Sequence, residues 1–265
     1  MFTTPAPKDA LLAATNVTMR FGGIVAVSDM TISLPTGSIC GIIGPNGAGK
    51  TTMFNILSGF YTPTEGDVLF QGRSIKGRQP NEVCKLGIAR TFQNIRLSAH
   101  MTVLENVMVG CHVRRHCSWW MSLFGLPNYY REERELREKA ARLVERVDLT
   151  GSINEKAGSL PYGAQRRLEI ARALATEPTL LLLDEPAAGM NPQESLDLMH
   201  FIRRIRDEFN LTILLIEHDM KVVMGVCEYI YVMEYGAPIA EGEPDAIQSN
   251  PEVIRAYLGD EFGHE

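Results

Sequence analysis

The chain has little of what marks a secreted, membrane-spanning or nucleic-acid-binding protein. Its five cysteines, Cys40, Cys84, Cys111, Cys117 and Cys227, are odd in number, scattered over 265 residues and never spaced Cys-x-x-Cys. That pattern excludes a disulfide framework and leaves reduced thiols in a cytosolic compartment as the expectation. Cys111 and Cys117 lie near His112 and His116, but the spacing fits no standard zinc pattern and no second Cys/His pair follows, so a zinc site is not expected. No stretch reaches the roughly 18 apolar residues of a membrane span. Met1 to Ala10 lacks the apolar core of a signal peptide. Basic residues are outnumbered, 26 Lys and Arg against 32 Asp and Glu, for a net charge of -6. That field has the wrong sign for nucleic acid. Internal repeats and low-complexity segments are also missing.

What is there reads as globular α/β protein. Apolar and alternating runs near 11–19 and 25–34 predict strands, as do residues 38–43 and 66–71. Lys50 to Ser58 predicts a helix ending near Gly59. Residues 102–150 are different: they hold helical segments, an aromatic patch at Trp119, Trp120 and Phe124, and a charged helix over Arg131 to Asp148. That helix carries Leu136, Ala140, Leu143 and Val147 about one turn apart. Residues 95–160 therefore read as a helical subdomain inserted in an α/β core. Gly163 to Thr176 is helical up to Pro178, and Thr179 to Asp184 is the near-continuous apolar run of a strand buried inside a parallel sheet. A helix at about 192–208, a strand at 211–216, a short helix and two strands near 229–241 follow. Pro244 and Pro251 each suit the first turn of a closing helix, over about 243–260. Alternating strands and helices give a parallel-sheet α/β fold.

One segment carries chemistry directly. Gly44-Pro45-Asn46-Gly47-Ala48-Gly49-Lys50-Thr51 matches GxxxxGK[ST] without a mismatch, between a predicted strand and a predicted helix. Glycines let successive backbone N–H groups turn inward around a polyphosphate, and the helix N-terminus adds positive potential. Lys50 is expected on the terminal phosphates, Thr51 at a magnesium ion, and Thr52 beside it on the nucleotide. Leu180-Leu181-Leu182-Leu183-Asp184-Glu185 places two acids at the end of an apolar strand. Asp184 suits a magnesium carboxylate, and Glu185, one residue on, suits a base for the attacking water. ATP and Mg²⁺ are the implied cofactors, and an Asn-Lys-x-Asp guanine-reading motif is missing.

Taken with five further motifs in order, this set resembles the nucleotide-binding subunits of ABC transporters over nearly the whole chain. Phe21 lies 23 residues before Gly44, where these proteins carry an aromatic that stacks on adenine. Gln93 in Thr91-Phe92-Gln93-Asn94 resembles the Q-loop glutamine, a contact to magnesium and a sensor of the membrane partner. Leu160-Pro161-Tyr162-Gly163-Ala164-Gln165 aligns with the signature motif, and so places Gly163 and Gln165 against nucleotide. Ala188-Gly189-Met190-Asn191 sits at the D-loop, and His218 at the switch histidine. Leu183 to Gly189, Leu215 to Met220 and Asn250 to Gly259 look like the LivG-type ATPase subunits of branched-chain amino-acid importers. The signature departs from the usual Leu-Ser-Gly-Gly-Gln: Pro161 stands at Ser, Tyr162 at the first Gly and Ala164 at Gln. Proline has neither hydroxyl nor N–H, so phosphate binding there is expected through the backbone at Gly163 and the positive end of its helix.

The resemblance implies a P-loop NTPase core with a RecA-like parallel sheet, an N-terminal antiparallel β-subdomain and an inserted helical subdomain, together one nucleotide-binding domain over 1–265. It implies ATP hydrolysis with Glu185, His218 and Lys50 catalytic, and magnesium held by Thr51, Gln93 and Asp184. The implied partners are a second cassette in a head-to-tail ATP sandwich, heteromeric or of identical chains, two transmembrane permease subunits and, indirectly, an extracellular or periplasmic solute-binding protein, with no nucleic acid. The chain is expected peripherally on the cytoplasmic face of the inner membrane. Ile95, Leu97, Met101 and Val103 are candidate contacts to a permease helix, with core packing the competing reading. Related urea or lipopolysaccharide systems and soluble ABC ATPases remain open. The soluble class has against it one cassette, no sustained heptads and a negative charge.

Overall fold

The computed structural model describes residues 10–114 and 127–261. Over the described residues the chain divides into two compact units, one from Met1–Val83 with Thr179–Glu265, the other from Cys84–Pro178. The second contains the whole 95–160 range.

The first unit begins with β1 (Ala10–Phe21) and β2 (Ile24–Pro35), long antiparallel strands joined by the tight Gly22-Gly23 turn. β3 (Ile39–Ile43) follows, then α1 (Lys50–Leu57), β4 (Glu65–Phe70) and the two-residue β5 (Arg73–Ser74). An antiparallel sheet in the order β2-β1-β4-β5 results. α2 (Pro80–Leu86) leads out of the unit and β6 (Ile88–Arg90) lies in the next.

In the second unit, α3 (Val103–Cys111), α4 (Pro127–Arg146) and α5 (Tyr162–Leu174) pack on one another. The N-terminus of α3 is closed by a capping box, Thr102 with Glu105, which satisfies two otherwise orphaned N–H groups. α3 and α5 meet where Gly110 has no side chain. A Cβ there would stand 2.2 Å from the carbonyl of Arg172. Leu136, Ala140, Leu143, Val144 and Val147 of the α4 region are buried against this core. Val103 is fully buried and Met101 is 41% exposed. Val103 is thus core, not a surface contact; Met101 stays available, and Ile95 and Leu97 are half-buried. Trp119, Trp120, Phe124, His116 and Cys117 lie outside the described residues.

The chain returns to the first unit with β7 (Leu180–Asp184), α6 (Pro192–Phe209), β8 (Thr212–Ile216), α7 (Met220–Val226), β9 (Tyr229–Glu234) and β10 (Ala237–Gly242). α8 (Pro244–Gln248) and α9 (Pro251–Glu261) close it. Five strands of this unit run β10-β9-β3-β8-β7, with β9, β3, β8 and β7 parallel and β10 antiparallel at the edge. Every residue of β3, β7 and β8 is buried, because helices and strands cover both faces of a parallel sheet. The predicted α/β class and strand positions are found. β5, β6 and α2, two, three and seven residues long, are not among the predicted elements.

Candidate nucleotide site

The site forms at the carboxyl edge of the parallel sheet, where open α/β sheets bind ligands. Ile216 at the end of β8 is register partner both to Ile42 in β3 and to Asp184 in β7. One row of three strands thus presents Gly44, Asp184 and Glu217 together, each at or just past its strand end.

The loop after β3 is wrapped by backbone contacts. Gly44, Gly47 and Gly49 have φ of 150°, 79° and 96°, a region that side chains strongly disfavour. A Cβ on Gly44 would lie 2.0 Å from the Met233 carbonyl, and one on Gly49 2.4 Å from the Ala26 carbonyl. Strands β9 and β2 therefore press on the loop so closely that only glycine fits. The Gly236 N–H donates to the Ala48 carbonyl at 3.1 Å. Lys50 is buried, and its Nζ donates to the Gly44 and Pro45 carbonyls at 2.6 and 2.8 Å, which folds the ammonium over the cradle. Asn46, Gly47 and Thr51 are exposed on it. From α9, Tyr257 brings its buried hydroxyl up to the Gly44 backbone without closing a bond of normal geometry. Burial pushes that phenol up to about 12, and the Gly44 amide draws it part of the way back.

Across the edge, Asp184 is 4% exposed at the end of β7. Glu185 takes a φ of 46° and donates its N–H to the Ile216 carbonyl at 2.9 Å, so its carboxylate turns away from the strand line. His218 Nδ1 lies 3.7 Å from Glu185 Oε2 and 3.9 Å from Glu217 Oε2. The His218 side chain is 59% exposed and faces outward. Asp219 caps α7 through the Lys221 N–H, and this fixes the histidine's exit. Phe21 is 42% exposed, with Tyr61 edge-on to its ring at 5.2 Å between centroids, so it is no core phenylalanine.

Gln93, Gly163 and Gln165 lie in the other unit. Gln93 is exposed. Pro161 is the N-cap of α5 and offers no side-chain cap bond. Gln165 closes the turn instead, its N–H on the Pro161 carbonyl at 3.0 Å and its Nε2 on Leu160 at 2.8 Å. A Cβ on Gly163 would meet nothing within 4 Å, so the first turn presents open backbone.

Over residues 27–188, more than half of the chain, the sequence matches the family model of ABC transporters. The chain belongs to the ABC transporter ATP-binding family. Residues 237–263 match a second model, described as branched-chain amino acid ATP-binding cassette transporter. A curated relative, the high-affinity branched-chain amino acid transport ATP-binding protein BraF of Pseudomonas aeruginosa, is 48% identical over 250 residues, covering 94% of this chain and 98% of that protein. An ATP-binding cassette of an ABC transporter solved in its ADP conformation superposes with a TM-score of 0.83 at 35% identity, covering 94% of this chain and 99% of the other. A second ATP-binding cassette, a dimer in a post-hydrolysis state with ADP and phosphate bound, gives 0.72 at 27% identity over 88% and 98%. As in the rest of this family, the cassette hydrolyses ATP for a transporter. It works as one of a pair of cassettes on membrane subunits. No helix among the described residues is long and apolar enough to cross a membrane.

Glu217 is the site residue that sequence reasoning missed. It is fully buried, accepts the Ala187 N–H at 2.7 Å and the His218 N–H at 3.2 Å, and so ties the turn after β7 to the backbone at His218. Its only sequence signal is an acid directly after a wholly apolar strand. Burial raises its carboxyl above the ordinary 4.5; the Ala187 N–H, then His218, draw it back. A raised folded value makes ionisation unfavourable in the folded state, so this group costs stability as pH rises from 4.5 through that value. Glu217→Gln is expected to lose this part of the pH dependence of Tm. It also leaves one backbone N–H without its acceptor, costing about 1–3 kcal/mol at pH 7. Thermal unfolding from pH 4 to 8 checks both; a variant that tracks the wild type at constant offset contradicts the first.

A separate cavity of about 480 Å³ is lined by Ser33, Cys40, Glu228, Tyr229, Tyr231 and Glu241 among others, none of them in the phosphate loop. Arg206 already holds Glu228 at 2.6 Å.

Proposed function

We propose that this chain is the ATP-hydrolysing subunit of a branched-chain amino-acid importer, with both units together forming one nucleotide-binding domain. The observation that carries the substrate is the match of residues 237–263 to the branch-specific model, in the segment whose Tyr257 abuts the phosphate loop at Gly44. The loop's shape supports nucleotide as the ligand. Three positive-φ glycines shape a turn seated so tightly on β9 and β2 that a Cβ at Gly44 or Gly49 would unseat it, and successive amides in such a turn suit phosphate oxygens.

In this reading Phe21 stacks on adenine, Gly44 to Thr52 wrap the phosphates, and Lys50 turns to the terminal phosphate. The residues fit Mg²⁺: the Thr51 hydroxyl at the start of α1 and the Asp184 carboxylate at the end of β7 are hard oxygen donors, and magnesium is usually held by one or two such protein ligands plus phosphates. Thr51 and Asp184 would hold it. There the ion would neutralise phosphate charge. Glu185 accepts the proton of the attacking water, and His218, turned out beside Glu185, holds the γ-phosphate. A second cassette, homologous rather than identical, supplies its own signature turn to this site, while Gly163 and Gln165 of this chain face the nucleotide of the partner. Two permease subunits on the cytoplasmic face of the membrane and an outer solute-binding protein complete the system.

The test is reconstitution. The complex captured through this chain is placed in proteoliposomes with its solute-binding protein, and ATP hydrolysis is measured with leucine, isoleucine, valine, urea or no solute. Stimulation several-fold above basal by the branched amino acids alone is expected. Stimulation by urea alone, or a lipopolysaccharide-handling permease in the complex, overturns the substrate assignment.

A further inference from the structure

The helix that begins at Tyr162 carries an ion pair that the nucleotide chemistry leaves unused. Arg166 is 0% and Glu169 2% exposed, one turn apart on one face of α5, with Arg166 Nη1 donating to Glu169 Oε2 at 2.8 Å. Burying two charges is expensive unless the remaining donors and acceptors are satisfied. Here all but Arg166 Nε are satisfied, largely by the backbone of residues 92–96. Arg166 donates to the Phe92 carbonyl from Nη1 at 2.8 Å and to the Gln93 carbonyl from Nη2 at 2.9 Å. Glu169 Oε1 accepts the N–H groups of Phe92 and Arg96, each at 3.4 Å. The Tyr162 hydroxyl, in the first turn, accepts from Arg166 Nη2 at 3.2 Å. The guanidinium of Arg96 lies 4.3 Å from the Phe92 ring centroid, and this holds the segment from its outer side.

Geometry decides the role. A guanidinium has a planar fork that can bridge two carbonyls and a carboxylate at once, which an ammonium cannot do at fixed span. Two side chains from the first two turns of α5 therefore grip residues 92–96 at four backbone atoms, while Gln93 itself stays exposed. We propose that the Arg166–Glu169 pair is a positioning strut: it makes the Gln93 segment and the signature end of α5 move as one body, so that a displacement of either reaches the other. This rests on the reading of Gln93 and Gly163 as nucleotide-site residues.

Two readouts test it. Hydrogen exchange on the purified chain reports the strut alone. In Arg166→Lys and Glu169→Gln, amides of residues 92–96 are expected to exchange at least tenfold faster, with β7 and β8 amides unchanged. Unaltered exchange in both variants overturns the strut. In the reconstituted transporter, solute-stimulated over basal hydrolysis is then compared for Gln93→Ala, Arg166→Lys and the Arg166→Met/Glu169→Met double variant, whose apolar side chains refill the core. The stimulation ratio is expected to fall at least fivefold in all three, while basal hydrolysis by the two strut variants stays within about twofold of wild type. A fall in Gln93→Ala with wild-type ratios in folded strut variants overturns the coupling role, since a merely structural pair would lower only Tm. A wild-type ratio in Gln93→Ala refutes the reading of Gln93 instead, and the exchange result then decides the strut by itself.

Discussion

Glu185→Gln is expected to bind Mg-ATP within about twofold of wild type while ATP turnover falls by roughly 10² to 10⁴, the range that a positioned base supplies. Amide and carboxylate have the same shape, so the backbone at Glu185 keeps its φ of 46° and its N–H bond to Ile216. What disappears is the charge that accepts a proton. The carboxylate is 17% exposed beside His218, reachable by water yet shielded enough to hold one molecule in line. Removing the negative charge also relieves repulsion with the γ-phosphate, so binding does not suffer. Calorimetry gives the affinity, and single-turnover phosphate release in the assembled complex gives the chemical step. A turnover within threefold of wild type would leave Glu185 a mere strand-end acid and hand the proton to another group.

The residues that carry this site were legible in unequal measure, for physical reasons. The phosphate loop was plain because its demands are local: three positive-φ glycines, a lysine and a helix start admit few other sequences. β3, β7 and β8 were equally plain, since full burial on both faces produces unbroken apolar runs. Short elements escaped because two or three residues such as Arg73–Ser74 carry no period; their pairing with β4 is decided by tertiary contact. Arg166 and Glu169 fall inside the helix expected over Gly163 to Thr176, in a stretch that also fits the LivG-type branch, but charges in a helix normally face solvent. Only the fold reveals carbonyls of residues 92 and 93 at the guanidinium. Glu217 escaped likewise: its partners, the amides of Ala187 and His218, belong to loops that the sequence cannot bring together. Val103 had equal claim as surface contact and as core, and the capped start of α3 put it inside.

Substitutions within the loop separate its three glycines sharply, along the line that GxxxxGK[ST] draws between the fixed Gly44 and Gly49 and the free position of Gly47. Gly44→Ala and Gly49→Ala drive a methyl to 2.0 Å and 2.4 Å from the carbonyls of Met233 and Ala26. Both obstacles are backbone of packed strands, so neither can rotate aside as a side chain would. The loop must lift off β9 or β2, which breaks the Gly236 to Ala48 bond and spreads the amides that would face phosphate. At Gly47 a methyl meets nothing within 4 Å. That variant bears only the left-handed conformation, about 1–2 kcal/mol. Mg-ATP affinity is therefore expected to fall at least about 100-fold, near 2.7 kcal/mol, in Gly44→Ala and Gly49→Ala. Gly47→Ala should lose no more than about 1–2 kcal/mol, roughly five- to thirty-fold. Tm should drop with the same ranking, because the pressed strands belong to the sheet core. Calorimetry and thermal unfolding on the three purified chains decide it. Equal losses at all three positions would mean that left-handed strain governs the loop and that the pressure of β9 and β2 does not.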